Sequence, residues 1–331
     1  MISYQLRTQG ADTLLERADV PTPEPGPGQL LVRMHAAGLN RGEFIPGGLQ
    51  AKGGAAKPAG IEGAGEVAAL GAGVVIGASG FKLGDRVMGR CPGAFSEFAL
   101  MDAREAIVVP ASLTMVQAAA VPLTFLVVHD MLATQGHLQA GQWLLVTGVS
   151  SGVGVASLQL AKAMGAKVIG TSGSLEKLDK LKALGLDVGI HTRLGDFAEA
   201  VALTTEGRGV HLVVNTVGGS VFAECIKTLA FEGRLATVGY VDNTLKAEID
   251  IQALHVKRLT LFGVSNKQRN ADQRASGLPA FKAEVLPAFA DGRIKPLVDR
   301  VFPLAELASA REHMQANRHL GKIVVTMAHS S

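Results

Sequence analysis

Cysteine is almost absent. Cys91 and Cys225 are the only two in 331 residues, too few for the disulfide framework of a small secreted domain. They are also too few for a four-cysteine structural zinc lobe, so both are read as packing residues. Excess charge is lacking as well: the formal net charge is +3 and no block of like charge stands out. A nucleic-acid or anionic-membrane partner therefore has no electrostatic footing. Nor is there a long charge-free apolar run. The nearest approach, Val67 to Phe81, holds four glycines between Glu66 and Lys82, short of the ~18 apolar residues of a spanning helix. The first residues carry Arg7, Asp12, Glu16, Arg17 and Asp19, which is not the apolar core of a signal peptide. The expectation is a cytoplasmic protein with no membrane partner and no nucleic-acid partner.

What is present is glycine, 40 residues of it, and 47% apolar residues, enough to bury real cores. The length suits two domains. From Met1 to about Val121, short β-branched runs such as Gln29–Arg33, Glu66–Leu70 and Asp85–Met88 alternate with Gly and Pro. This is the texture of a β-rich domain. From Pro122 to Val264 strands and helices alternate: strand Trp143–Thr147, helix Val155–Met164, strand Lys167–Gly170, helix Leu175–Leu184, strand Leu212–Asn215, helix Phe222–Leu229 and strand Arg234–Val238. Such alternation predicts right-handed crossovers and a doubly wound parallel sheet, an α/β fold. Residues 265–331, with helices around Phe281–Ala290 and Leu304–Asn317 and a strand at Lys322–Thr326, are too short for a third domain and are expected to complete the first. The expected division is 1–121 with 265–331, and 122–264.

The strand Trp143–Thr147 runs through Gly148-Val-Ser-Ser-Gly-Val-Gly154 directly into a helix. Small residues there let backbone approach a pyrophosphate, and the free N–H groups of a helix start bind its charge. Ser151 stands where the second glycine of the usual motif would be. The second strand ends in Gly170-Thr-Ser-Gly-Ser174, without the acid that grips the ribose 2′-hydroxyl of NAD. Ser172, Ser174 and, one turn on, Lys177 offer hydroxyls and a cation to a 2′-phosphate instead, although Ser174 could equally cap the helix and Lys177 be solvated. The expected cofactor is NADPH.

These residues, with Leu39-Asn-Arg-Gly42, Gly60-Ile-Glu-Gly-Ala-Gly-Glu-Val67, Phe81–Val87, Gly93–Phe98, Ala118–Thr124, Val217-Gly-Gly219 and His319-Leu-Gly-Lys-Ile-Val324, resemble the zinc-independent medium-chain dehydrogenases/reductases of quinone oxidoreductase type over essentially the whole chain. The resemblance implies a GroES-like catalytic domain around a Rossmann domain, with the active site in the cleft. It implies Asn40 and Thr124 beside the nicotinamide, Ser151, Gly152 and Val153 on the pyrophosphate, with Gly154 letting the helix pack on the strand, and Ser172 and Lys177, next to Ser174, on the 2′-phosphate. It further implies Asn215 and Val217 on the adenosine side, Phe262 to Val264 near the nicotinamide amide, and Gly239 and Tyr240 at the cleft. His191 falls where relatives often carry a tyrosine near the adenine ribose, and a surface histidine is the alternative. Zinc-dependent relatives have Cys near the Asn40 position and His at the Ile61 position; neither stands here, so no metal is expected.

Without a Lewis acid, the expected chemistry is hydride transfer to an acceptor that stabilises its own negative charge, a quinone or an enone. Tyr240 or water would supply the proton. The pocket-lining stretch Phe44–Lys57, rich in Gly and Ala, names no substrate. Two alternatives stay open: a 2-enoyl thioester reductase, with Lys267, Arg269 and Arg274 holding a phosphorylated carrier, and a non-catalytic redox sensor. A homodimer is expected, joined by the edge strand within Leu259–Val264.

Overall fold

The computed structural model describes residues 1–9, 12–44, 56–75, 77 and 80–328. Most of the expected pocket-lining stretch, Ile45 included, lies outside the described residues. The chain divides into two compact units, Met1–Leu123 with Lys267–Ser331, and Thr124–Asn266.

The second unit is built on a six-stranded, wholly parallel sheet. In spatial order its strands are Val188–His191, Lys167–Ser172, Trp143–Thr147, Val210–Asn215, Leu229–Thr237 and Thr260–Gly263. The central three are β-branched or leucine-rich and buried, as strands covered on both faces must be. Chain order reverses beside Trp143–Thr147, and in such sheets ligands bind off the carboxyl ends of the strands at that switch. Helix Gly152–Ala163 is capped by Ser151, whose Oγ accepts the Gly154 N–H. The helix therefore begins earlier than hydrophobic periodicity alone suggests, taking Gly152–Gly154 as its first turn.

The first unit holds a seven-stranded sheet in which Gln29–Gly38 is central, flanked by Lys322–Thr326 and Glu62–Leu70 and paired also with Phe98–Asp102. Residues 298–326 thus return to pair with the N-terminal strands. A separate small sheet joins Ile2–Gln9, Asp12–Asp19 and Lys57–Pro58. The helix expected over Phe281–Ala290 is in fact two, Leu278–Glu284 and Leu286–Ala290. Pro287 causes the break, since it has no N–H to donate back and its ring crowds the carbonyl four residues earlier. Among the described residues no helix is long and apolar enough to cross a membrane.

Candidate functional site

Two constellations carry chemistry, one in each unit. In the second, Gly148 turns the chain with φ +64°, a left-handed conformation that favours glycine. Its N–H donates to Thr171 Oγ1, and Val149 N–H to Thr171 O, tying the turn to the neighbouring strand. Gly154 is required by crowding: a Cβ there would lie 2.6 Å from both Gly148 O and Val149 O. The first-turn N–H groups of Gly152 and Val153 have no intrahelical acceptor, and with the helix dipole they form an anion seat.

At the end of the second strand, Ser172 is buried; its Oγ lies 3.3 Å from Ser150 Oγ and accepts the Ser174 N–H. Ser174 caps helix Leu175–Lys182, its Oγ accepting the Lys177 N–H, and Lys177 is half-buried. His191 is exposed and pairs in register with Ser172. A further cation, missed from sequence, joins them. Arg193 lies over Gly173 so closely that a Cβ on that glycine would come within 2.7 Å of its Cζ. The loop carrying Arg193 is pinned by Thr192 N–H to Ser172 O and Thr192 Oγ1 to Asp196 Oδ1. Arg193 is exposed and makes no hydrogen bond or ion pair among the described residues.

Asn215 is fully buried and its side chain braces the turn that follows. Oδ1 accepts from Thr147 Oγ1 and from the N–H groups of Val217 and Gly218, and Nδ2 donates to Gly218 O. It shapes the Val217–Gly219 turn. Gly239 follows strand Leu229–Thr237, and Tyr240 beyond it is 46% exposed. Phe262 is half-buried in the edge strand, and Val264 and Thr124 are buried.

In the first unit the antiparallel register sets Val324 opposite Gly38 and Gly63 opposite Ala37. Continued, that register sets Lys322 opposite Asn40 and Glu62 opposite Gly38. Lys322 Nζ donates to Glu62 Oε1 at 2.6 Å, Asn40 Oδ1 at 2.8 Å and Leu39 O at 3.1 Å. Asn40 Nδ2 donates to Glu62 Oε1 and to Glu43 Oε1, and Glu62 Oε2 accepts the Leu123 N–H. Gly38 leaves room, since a Cβ there would stand 2.8 Å from Glu62 Oε1. Every hydrogen of the Asn40 amide and of the Lys322 ammonium is thereby committed. Asn40 is the node of a buried ionic network, a role that sequence reading does not assign to it; Glu43 and Lys322 are its unforeseen partners.

Zinc does not fit these residues. Asn40 and Ile61 are not ligands of choice; Glu62 already has both oxygens taken by an ammonium and two amides, and the only other carboxylate of the network, Glu43, does not make a metal site with it among the described residues. Among the described residues no group of three metal-binding side chains exists. Burial pushes the thiols of Cys91 and Cys225 up, which suits inert packing residues. The basic loop offered for a carrier is also partly spent: Arg274 makes a bidentate pair with buried Glu105.

Comparison with known proteins bears on the family and the fold. Residues 26–111 match the alcohol dehydrogenase GroES-like domain and residues 152–278 the zinc-binding dehydrogenase domain. The fold superposes on that of mycobacterial Rv1454c complexed with NADPH with a TM-score of 0.88 and 29% identity, covering 98% of this chain and 100% of that one. For the quinone oxidoreductase of Pseudomonas syringae pv. Tomato DC3000 the TM-score is 0.86 and the identity 28%, over 98% and 99%. A mycocerosic acid synthase-like polyketide synthase of Mycobacterium tuberculosis is 30% identical over 98% of this chain. The chain spans only 15% of that relative's length.

Proposed function

The chain belongs to the medium-chain dehydrogenase/reductase family, of quinone oxidoreductase type, and on that premise we propose that it is an NADPH-dependent, zinc-independent reductase of quinones or α,β-unsaturated carbonyl compounds. The observation that carries the reading is the end of strand Lys167–Ser172. It presents hydroxyls and two nearby cations, Lys177 and Arg193, and no carboxylate. A 2′-phosphate is favoured there and a bare 2′-hydroxyl gains nothing. Ser151, Gly152, Val153 and Gly154 seat the pyrophosphate, Ser172, Ser174, Lys177 and Arg193 the 2′-phosphate, and His191 borders it. Val217, Gly239, Tyr240, Phe262 and Val264 line the remainder, with Asn215 acting through the turn it holds. When bound, NADPH supplies the hydride. Asn40 and Thr124 are the proposed reaction-site residues, and Tyr240 or water delivers the proton. Glu62 and Lys322 hold Asn40 in one orientation, which favours a reproducible reaction geometry.

Losing one charge-assisted hydrogen bond costs about 1.5–3 kcal/mol, roughly ten- to a hundredfold in affinity. Lys177→Ala and Arg193→Ala should each weaken NADPH by that factor and leave NADH nearly unchanged, read by fluorescence titration. Equal losses for both cofactors would remove these residues from the 2′-phosphate.

The enoyl thioester reading has its own support in the similarity to polyketide synthases. Enoyl thioesters beside simple enones and quinones in one acceptor panel separate the two, the preferred class showing the higher kcat/KM. For assembly we propose a homodimer through strand Thr260–Gly263, which among the described residues pairs on one side only, with Leu229–Thr237, and ends the sheet. An open edge is a template for a second copy. Sedimentation equilibrium at micromolar concentration should give a dimeric mass; a monomer would contradict the assignment.

A further inference from the structure

The carboxyl of Glu43 has no part in the proposed chemistry, yet it is buried against Asn40. It is 2% exposed, in the short turn Arg41–Glu43. Oε1 accepts both the backbone N–H of Asn40 at 3.0 Å and its side-chain Nδ2 at 2.9 Å. Oε2 is buried with no hydrogen-bond partner among the described residues. The titratable groups facing it are Glu62 on strand Glu62–Leu70, Lys322 on strand Lys322–Thr326 and, beyond strand Arg86–Arg90, the Cys91 thiol. Among the described residues Lys322 is the only cation of that set, and its three hydrogens go to Leu39, Asn40 and Glu62, none to Glu43.

One ammonium balances one carboxylate, and Glu62 has it. A second buried carboxylate would stand unpaired, which costs far more than a buried hydroxyl without an acceptor. The proton therefore stays on Glu43, on the oxygen that nothing else occupies. In agreement, burial pushes its pKa up to about 8, with the Glu62 charge adding and the Asn40 bonds and Lys322 opposing. Ionisation would set two carboxylates on the same Asn40 Nδ2, with one ammonium to serve both.

We propose that Glu43, held as a neutral carboxylic acid, is a positioning residue that fixes the Asn40 amide for reduction, and that loss of its proton, by strengthening its pull on Asn40 Nδ2 against that of Glu62, turns that amide away from its reducing orientation. The proposal rests on the reading of Asn40 as a reaction-site residue. It adds a residue that neither the family match nor the glycine turn points to. Glu43→Gln keeps the accepting oxygen and replaces the buried hydroxyl by a group that cannot ionise.

The first test needs no turnover. In protein with asparagine side chains labelled with 15N, the Asn40 amide signal, assigned by its loss in Asn40→Ala, should shift on alkaline titration with a midpoint of about 8. It should stay still in Glu43→Gln. The second is the pH profile of kcat with saturating NADPH and acceptor. The native enzyme should lose activity on the alkaline side about that midpoint, Glu43→Gln should keep neutral-pH kcat within about threefold and lose the alkaline limb, and Glu43→Leu should drop kcat at least about tenfold with KM for NADPH unchanged. An Asn40 signal indifferent to pH, or one that titrates equally in Glu43→Gln, overturns the proposal whatever the substrate. So does an alkaline limb that survives in Glu43→Gln. If no acceptor is turned over, the functional reading falls and the amide titration alone decides the positioning role.

Discussion

Exchanging Lys322 for methionine should destabilise the first unit by about 3–5 kcal/mol, the cost of removing one member of a buried ion pair. Methionine preserves the length of the side chain and takes away only the ammonium. Glu62, fully buried, would then have no cation beside it, and Asn40 Oδ1 and Leu39 O would lose their donor. Calorimetry should show the thermal midpoint falling by roughly 6–20 °C, at about 2–4 °C per kcal/mol for a domain of this size. The double variant Lys322→Met with Glu62→Gln should recover part of that loss, because it leaves no unpaired charge. A single variant as stable as the native chain would mean that the network is solvated and holds nothing.

The second large effect belongs to the phosphate turn. Gly154→Val should weaken NADPH and NADH alike, by at least about a hundredfold, or ~2.7 kcal/mol. Even a first side-chain carbon at this position meets two backbone carbonyl oxygens, Gly148 O and Val149 O, at 2.6 Å, and backbone cannot rotate away as a side chain can. Either the helix start lifts off the turn or the turn opens, and in both cases the N–H groups of Gly152 and Val153 lose their aim. Equal loss for the two cofactors distinguishes this variant from Lys177→Ala and Arg193→Ala, which touch only the 2′-phosphate. Undiminished binding in Gly154→Val would move the cofactor away from this turn.

How much of this is legible in the sequence depends on how far apart the partners lie along the chain. The phosphate turn is legible because strand, glycines and helix are contiguous, and the missing acid after Lys167–Ser172 is a local fact of composition. Arg193 is not, because it comes to Gly173 only through parallel pairing of Val188–His191 on that strand, and four residues with a glycine among them carry little strand signal. The Asn40-x-x-Glu43 spacing is that of a capping box and could have drawn attention to Glu43. Lys322 could not be placed so, since it bonds Glu62 across 260 residues of sequence and reads as an ordinary lysine opening an apolar strand. Asn215 shows the converse. The family resemblance puts it on the adenosine side of the cofactor, and only the structure shows its oxygen accepting from Thr147 and from the N–H groups of Val217 and Gly218, with Nδ2 donating to Gly218 O.

The central claim is hydride transfer from NADPH to an activated acceptor without a metal, and stereospecifically deuterated NADPH tests it most directly. With an electron-poor enone and a strong chelator present, the label should appear at the β-carbon of the product, with the α-proton drawn from solvent and the rate unchanged by the chelator. The account is contradicted if no enone or quinone in a broad panel is reduced, if chelation abolishes turnover, or if the protein instead oxidises primary alcohols efficiently.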